Sequence, residues 1–363
     1  MQNGQSVELL RSFMEQEIHF CTTSDSVGIA YASVGSGTPF VKAANWMNHL
    51  EYDWRSPVWR HLLDEFSRDH QLVRYDERGT GLSDRNVREL SQDVFVADLE
   101  AVVDTLGLEK FPLFGISQGG PVAVAYAVRH PEKVSHLILF GSFASGWKKS
   151  DLDEKILENR RAQLTLIRQG WNSKNPAIRQ LWTTLCIPDG RPEEAESFNE
   201  LQRESVSPDT AARIFEAIGD LDVREMLPML DVPVLVLHSR GDAMVQFEEG
   251  RRLASMIPRA RFVPLESRNH LLMNHEPAWA IFVDEVRRFI GRAISETENV
   301  TEILRIKICP NCSRTYADES LNYCLDDGTR LFGIPNGLDS AVDSNDYAST
   351  KILESDLITP YDD

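Results

Sequence analysis

The sequence predicts an α/β protein: a mostly parallel sheet with helices on both faces, a helical cap, and a small C-terminal module. Three observations predict it. Short β runs alternate with helical stretches across residues 18–290, and strands separated by helices rejoin the sheet in parallel. Residues 146–221 break that rhythm with helical pattern alone. Beyond residue 290 the alternation stops, and a cysteine cluster and an acidic tail follow. A chain of 363 residues has room for one large domain and something smaller.

The elements follow in order. Ile18-His19-Phe20-Cys21-Thr22 and Val27-Gly28-Ile29-Ala30-Tyr31 read as a hairpin around Ser24-Asp25-Ser26. Residues 40–44 form a third strand, followed by a long loop and a helix over 57–68. Gln71-Leu72-Val73-Arg74-Tyr75 is a fourth strand. Residues 91–106 then place Val94, Val96, Leu99, Val102, Val103 and Leu106 on one helical face. Phe111-Pro112-Leu113-Phe114 is a strand before an Ala- and Val-rich helix from Pro121 to Val128. Further strands fall at 134–140, 232–237 and 261–263, each followed by a helix or loop. The cap region shows helices at 156–167 and 209–218. The expected division is a tail (1–17), a main domain (18–294) with its cap (146–221), a linker (295–304), a module (305–333) and a disordered acidic tail (334–363). Residues 331–363 carry seven acids against one Lys, too little apolar surface to order them.

Composition narrows the function. Hydrophobic residues make up 42%, with seven Trp and sixteen Phe, enough for a sizeable core. A formal charge of −18 argues against nucleic acid or an anionic membrane surface as partner. No run approaches the roughly 20 apolar residues of a membrane span. No basic start followed by an apolar block marks a signal peptide, so the cytoplasm is the expected compartment. Five cysteines, an odd number, suit a reducing interior better than a disulfide framework.

The chemistry begins at Gly115-Ile116-Ser117-Gln118-Gly119, between a strand and a helix. Such a junction is a nucleophile elbow, a turn tight enough to hold the serine in strained dihedrals. Gly115 and Gly119 are needed because a Cβ there would collide with the neighbouring strand or helix. The pentapeptide alone arises by chance in roughly one chain in ten of this size, so its partners decide the matter. A serine hydroxyl needs a base, and the base needs an acid that fixes its tautomer. In this architecture they should follow in the order serine, acid, histidine, on loops after strands. Asp242, in His238-Ser239-Arg240-Gly241-Asp242, and His270, in Ser267-Arg268-Asn269-His270, meet that order. Alone, Asp242 would read as a turn residue and His270 as structural; together with Ser117 they make a catalytic triad. His238 is expected to pack or bond locally, His275 to mark the start of the last helix, and His130 to stop a helix before Pro131.

An oxyanion needs two backbone donors. Gln118, just after the nucleophile, supplies one. The second should come from Ala43-Ala44-Asn45-Trp46, with the N–H of Trp46 favoured and Asn45 the alternative; Trp46 could equally line or floor the pocket. Asn45 and Trp147 are the expected substrate contacts.

These residues carry a resemblance. Over about residues 18–294 the chain resembles the α/β-hydrolase superfamily, in Gly115-Ile116-Ser117-Gln118-Gly119-Gly120, in Arg74-Tyr75-Asp76-Glu77-Arg78-Gly79-Thr80-Gly81-Leu82-Ser83-Asp84, in Gly241-Asp242 and in Asn269-His270. The second stretch looks like the loop after the fourth strand that shapes the active-site floor in esterases and lactonases. The chain departs from the family where Ala44-Asn45 replaces the usual His-Gly pair. That variant is similar to a subgroup often fused to regulatory domains. The resemblance implies an α/β-hydrolase fold with a serine, rather than aspartate, nucleophile.

Cys309-Pro310-Asn311-Cys312, followed by Cys324-Leu325-Asp326-Asp327, resembles half of a zinc ribbon. Structural zinc wants four ligands, and Asp327 stands where the fourth thiolate would. The alternatives are zinc on Cys309, Cys312, Cys324 and Asp327, or a metal-free knuckle folded by Tyr316, Leu321 and Tyr323. Residues 300–335 hold five acids and four bases, which suits docking to a protein partner better than to nucleic acid. Cys21 and Cys186 read as packed thiols.

The expectation is a serine hydrolase of a small ester, lactone or thioester, for which no cofactor is needed. An acyltransferase or a cofactor-free peroxidase could use the same triad. Trp147, Trp171 and Trp182 near the cap suggest an apolar acyl or ring substrate. The rival is a ligand-sensing module with little turnover that signals through its C-terminal segment.

Overall fold

A computed structural model describes residues 15–149, 154–291, 307–309, 311–312, 314–316 and 321–333. Most of the proposed tail 1–17, the linker 295–304 and the tail 334–363 lie outside the described residues.

Eight strands form one sheet: β1 (Glu17–Thr22), β2 (Gly28–Val34), β3 (Pro39–Lys42), β4 (Gln71–Tyr75), β5 (Phe111–Ile116), β6 (Val134–Phe140), β7 (Val234–Ser239) and β8 (Arg261–Leu265). Their spatial order is β1-β2-β4-β3-β5-β6-β7-β8. β2 pairs antiparallel with both β1 and β4, and every later pairing is parallel. All six residues of β5 are buried, as a strand covered on both faces requires. The expected strands recur with ends shifted by up to two residues, within the fraying of any element boundary, except that β2 runs three residues further than expected, to Val34.

One expectation was incomplete. Where the sequence suggested a loop before a helix over 57–68, two helices stand: α1 (Leu50–Arg55) and α2 (Arg60–Ser67). α1 is a six-residue helix capped by no side chain, so it lacks the start signal that sequence reading relies on. α3 (Gln92–Thr105) follows β4, and α4 (Gly119–Arg129) follows β5.

The cap holds four helices: α5 (Glu154–Gly170), α6 (Ala177–Cys186), α7 (Pro192–Ser205) and α8 (Pro208–Asp220). Only parts of α5 and α8 were legible beforehand. α8 starts where Ser207 accepts from the Thr210 N–H and Pro208 sits at the first helical position, a start that removing the serine would weaken by about 1 kcal/mol. Its Ala211, Ala212, Ile214, Phe215 and Ile218 face inward. Beyond β7 and β8 lie α9 (Phe247–Met256) and α10 (Pro277–Gly291). Among the described residues no helix is long and apolar enough to cross a membrane.

The C-terminal module has three two-residue strands, β9 (Lys307–Ile308), β10 (Thr315–Tyr316) and β11 (Phe332–Gly333), in the order β10-β9-β11. Cys309, Leu321, Cys324 and Leu331 make its small core, with Tyr316 against them. It touches the main domain where Arg251 Nε donates to Leu325 O (3.2 Å) and the Arg240 guanidinium lies over the Tyr323 ring (5.6 Å).

Candidate active site

Ser117 sits between β5 and α4 with φ +52°, left-handed backbone that a non-glycine residue adopts only when its surroundings over-determine it. The surroundings do so. The Ser117 N–H donates to Phe140 O (2.9 Å), and Gly120 N–H closes back on Ser117 O (3.0 Å). A Cβ on Gly119 would stand 2.6 Å from Ala44 O, and one on Gly115 would stand 2.7 Å from Gly119 O. These are the collisions expected from the sequence.

Asp242 and His270 meet at the ends of β7 and β8. His270 Nδ1 lies 2.6 Å from Asp242 Oδ2. A carboxylate can only accept, so Nδ1 carries the proton and Nε2 is left as the basic nitrogen. The second carboxylate oxygen accepts the N–H groups of Met244 and Val245, each at 2.9 Å. Both side chains are buried, and His270 Nε2 has no hydrogen-bond partner among the described residues. Gly141 ties the imidazole to the elbow. It follows Phe140, which holds Ser117, and a Cβ on it would stand 3.0 Å from His270 Cε1.

The histidine loop is held from the cap. His270 N–H donates to Cys186 O (2.8 Å) at the end of α6, and Asp189 N–H donates to Asn269 Oδ1 (2.9 Å). Glu276 gathers the rest, accepting from Asn269 Nδ2 (2.7 Å), Met273 N–H (2.6 Å) and Ser267 Oγ. The Cys186 thiol is packed as expected, and burial pushes its pKa up. Its carbonyl, which no side-chain reading reveals, does the anchoring.

Gln118 is the N-cap residue just before α4, buried, and its Nε2 donates to Glu77 Oε1 (2.6 Å). Burial pushes the Glu77 carboxyl up to about 8, against the pull of that hydrogen bond. Glu77 therefore links the loop after β4 to the residue beside Ser117. The next residue, Arg78, forks onto Asp98 of α3 (2.7 and 2.9 Å) and reaches Asp25 of the hairpin turn (2.7 Å). Removing one member of such a buried pair costs about 3–5 kcal/mol.

A cavity of about 120 Å³ opens on Ser117. Trp46 and Gln118 line it from the sheet side, and Trp147, Phe215 and Ile218 line it from the cap side. Trp46 stacks on Trp171 (5.5 Å) and meets Trp182 edge-on (5.0 Å), so it is a wall and a cap contact. Trp147 stacks on Phe215 (5.7 Å) and donates to its carbonyl. Asn45 is placed differently from the expectation. Its side chain accepts from Lys42 Nζ (2.5 Å) and donates to Trp46 O (3.2 Å), and it is not among the cavity-lining residues. The buried lysine at the end of β3 draws the carboxamide away from the cavity. Sequence reasoning missed Arg160 of α5 and Glu249 of α9, which both line the cavity; no motif marks either.

His238 is buried, and its Nε2–H donates to Val245 O (2.9 Å), 3.5 Å from Asp242 Oδ2; burial lowers its pKa, so it acts as a neutral prop beneath Asp242. His275 pairs with Glu194 (3.2 Å), and His130 caps α4 beside Glu100 (2.9 Å). In the C-terminal module one donor atom from each of Cys309, Cys312, Cys324 and Asp327 lies within 4.8 Å of the others.

Comparison with known proteins adds to this geometry. AB hydrolase superfamily protein YisY of Bacillus subtilis is 27% identical over 270 residues, covering 69% of this chain and 92% of that protein. 3-Oxoadipate enol-lactonase 2 of Acinetobacter baylyi is 26% identical over 220 residues, covering 61% and 79%. The crystal structure of esterase RhEst1 from Rhodococcus sp. ECU1013 superposes with a TM-score of 0.63 at 25% identity, covering 76% and 98%. A family model described as the alpha/beta hydrolase fold matches residues 51–276, more than half of the chain. With the strained elbow, the parallel sheet and the cap already in view, the chain belongs to the α/β hydrolase fold family.

Proposed function

We propose that the protein is a serine hydrolase that cleaves a small ester, lactone or thioester through an acyl-enzyme. The observation that carries this reading is the 2.6 Å contact between His270 Nδ1 and Asp242 Oδ2, in a site whose cavity opens on a serine with φ +52°. Names of relatives, an enol-lactonase and an esterase among them, support the reaction class.

In this mechanism Ser117 Oγ attacks the carbonyl carbon as its proton passes to His270 Nε2. Asp242 stabilises the imidazolium. The N–H groups of Gln118 and Trp46 receive the oxyanion, a contribution worth about 3–4 kcal/mol per donor in such sites. When the tetrahedral adduct collapses, the leaving alcohol or thiol takes the proton from His270. Water then gives a proton to the same nitrogen, attacks the acyl-serine carbonyl, and frees the acid and Ser117. A panel of esters, lactones and thioesters tests it. Turnover of at least one class by the wild type, lost in Ser117→Ala, is expected; turnover unchanged in Ser117→Ala refutes it.

We also propose that Cys309, Cys312, Cys324 and Asp327 hold a structural zinc ion in a module that docks a protein partner. Cys312 and Cys324 Sγ are 3.4 Å apart, and Cys309 Sγ is 3.4 Å from Asp327 Oδ2. Thiolates about 2.3 Å from a tetrahedral zinc would be close to that far apart. Cys312 N–H and Asp326 N–H donate to Cys309 Sγ (3.5 Å) and Cys324 Sγ (3.4 Å), so backbone donors face two of the four ligand atoms. Bound zinc would supply the fold energy that so small a core lacks.

A further inference from the structure

From the cavity walls we infer that the preferred substrate carries a carboxylate, which the Arg160 guanidinium receives at the cap end of the site. This rests on the hydrolase reading and names its substrate class. Most of the wall is apolar, as Trp46, Phe143, Trp147, Phe215, Ile218 and Val245 show. A cation on such a wall is costly unless something answers it.

Arg160 has a neutral answer only. Its Nη1 donates to Gln163 Oε1 (3.1 Å) and its Nη2 to Met244 O (3.2 Å). Among the described residues it forms no ion pair with a carboxylate, whereas Arg161, Arg168 and Arg203 of the cap each have one; Arg179 and Arg213, which likewise have none, donate to backbone carbonyls and lie outside the cavity lining. Burial alone lowers its pKa, which agrees with the geometry: a desolvated charge with no counter-charge. The other ionisable wall residue, Glu249, does not supply one. The charges acting on it are Arg252 and Glu248 of its own helix. Burial raises its pKa, which weakens its opposition to an anion in the cavity. A guanidinium fork matches a carboxylate in shape, and charge-assisted bonds in a dry site are the strong ones. An acyl chain held at Ser117 by its ester end and at Arg160 by a distal carboxylate satisfies both polar ends of an apolar cavity.

The test compares p-nitrophenyl monoesters of succinate, glutarate and adipate with p-nitrophenyl butanoate, pentanoate and hexanoate. The quantity read is the ratio of kcat/KM for the anionic ester to that for the neutral ester of equal chain length. The expected wild-type ratio for the best length is about 10 to 100, collapsing towards about one in Arg160→Gln and partly restored in Arg160→Lys. A wild-type ratio near or below one overturns the inference. So does an equal loss on both esters in Arg160→Gln, because a packing defect leaves the ratio unchanged. Recognition is read apart from catalysis by calorimetry on Ser117→Ala. Monomethyl glutarate should bind about tenfold or more tightly than dimethyl glutarate, and Arg160→Gln in that background should erase the difference. Equal binding of the two overturns the carboxylate site even if the enzyme is active, whereas a preserved difference without wild-type turnover sinks only the hydrolase reading.

Discussion

His270 Nδ1 and Asp242 Oδ2 stand 2.6 Å apart in a buried pair, with the other oxygen of Asp242 held by the N–H groups of Met244 and Val245. The carboxylate is thereby fixed from its own loop before it fixes the histidine. Asp242→Asn should keep the loop, because the amide oxygen can still accept both N–H groups. Its NH₂ would face Nδ1 and force the proton onto Nε2, where the base must be free. The expected result is a kcat fall of roughly 10⁴-fold with little change in Tm. A mutant of near wild-type kcat would show that the pair is structural.

Glu77 sets a pH dependence of stability. Its carboxyl titrates near 4.5 when unfolded and is pushed up to about 8 by burial in the fold. Between those values the folded state binds more protons, so stability falls as pH rises through the window. Glu77→Gln keeps the acceptor for Gln118 and removes the titration. It should stabilise the protein by on the order of 2 kcal/mol at about pH 8, with the gain vanishing towards about pH 5. Parallel Tm–pH curves for mutant and wild type would contradict this.

Gly119 has no room for a methyl group, since Ala44 O lies 2.6 Å from where its Cβ would go. Gly119→Ala should cost about 1–3 kcal/mol through overpacking. Because the displaced segment leads into Trp46, it should also cut turnover by far more than the stability loss explains. Thermal melts and kcat on the best ester check both.

Purified full-length chain should contain about one zinc by metal analysis, lost in Cys309→Ser. Chelation should lower the Tm of the module's transition and leave kcat within about twofold, since among the described residues its contacts with the main domain involve Leu325, Arg251 and Arg240, none of which lines the cavity. A folded, zinc-free wild type would refute the metal site.

Much of this was legible in the sequence because it is written in short-range chemistry. The elbow glycines, the strand–helix alternation and the order of Ser117, Asp242 and His270 are local patterns with a steric or electrostatic reason. What escaped depends on contacts across the fold. Cys186 anchors His270 through a backbone carbonyl, which leaves no trace in side-chain identity. Glu77 and Gln118 are 41 positions apart and meet only when β4 and β5 are assembled. The Lys42–Asn45 contact spans only three positions, but no motif marks the turn that brings Nζ to the carboxamide. Two of the four cap helices are not legible because much of their buried face is polar, Arg179 and Thr183 in α6 and Glu194, Asn199, Gln202 and Ser205 in α7, which interrupts the apolar stripe that marks a helix.

The most direct test of the central claim is covalent. Incubated with a fluorophosphonate, the wild-type protein should gain one adduct, mapped by mass spectrometry to Ser117, and lose activity in step. Ser117→Ala should gain none, and His270→Ala should react far more slowly. No adduct on a folded wild type, or equal labelling of Ser117→Ala, would contradict the account.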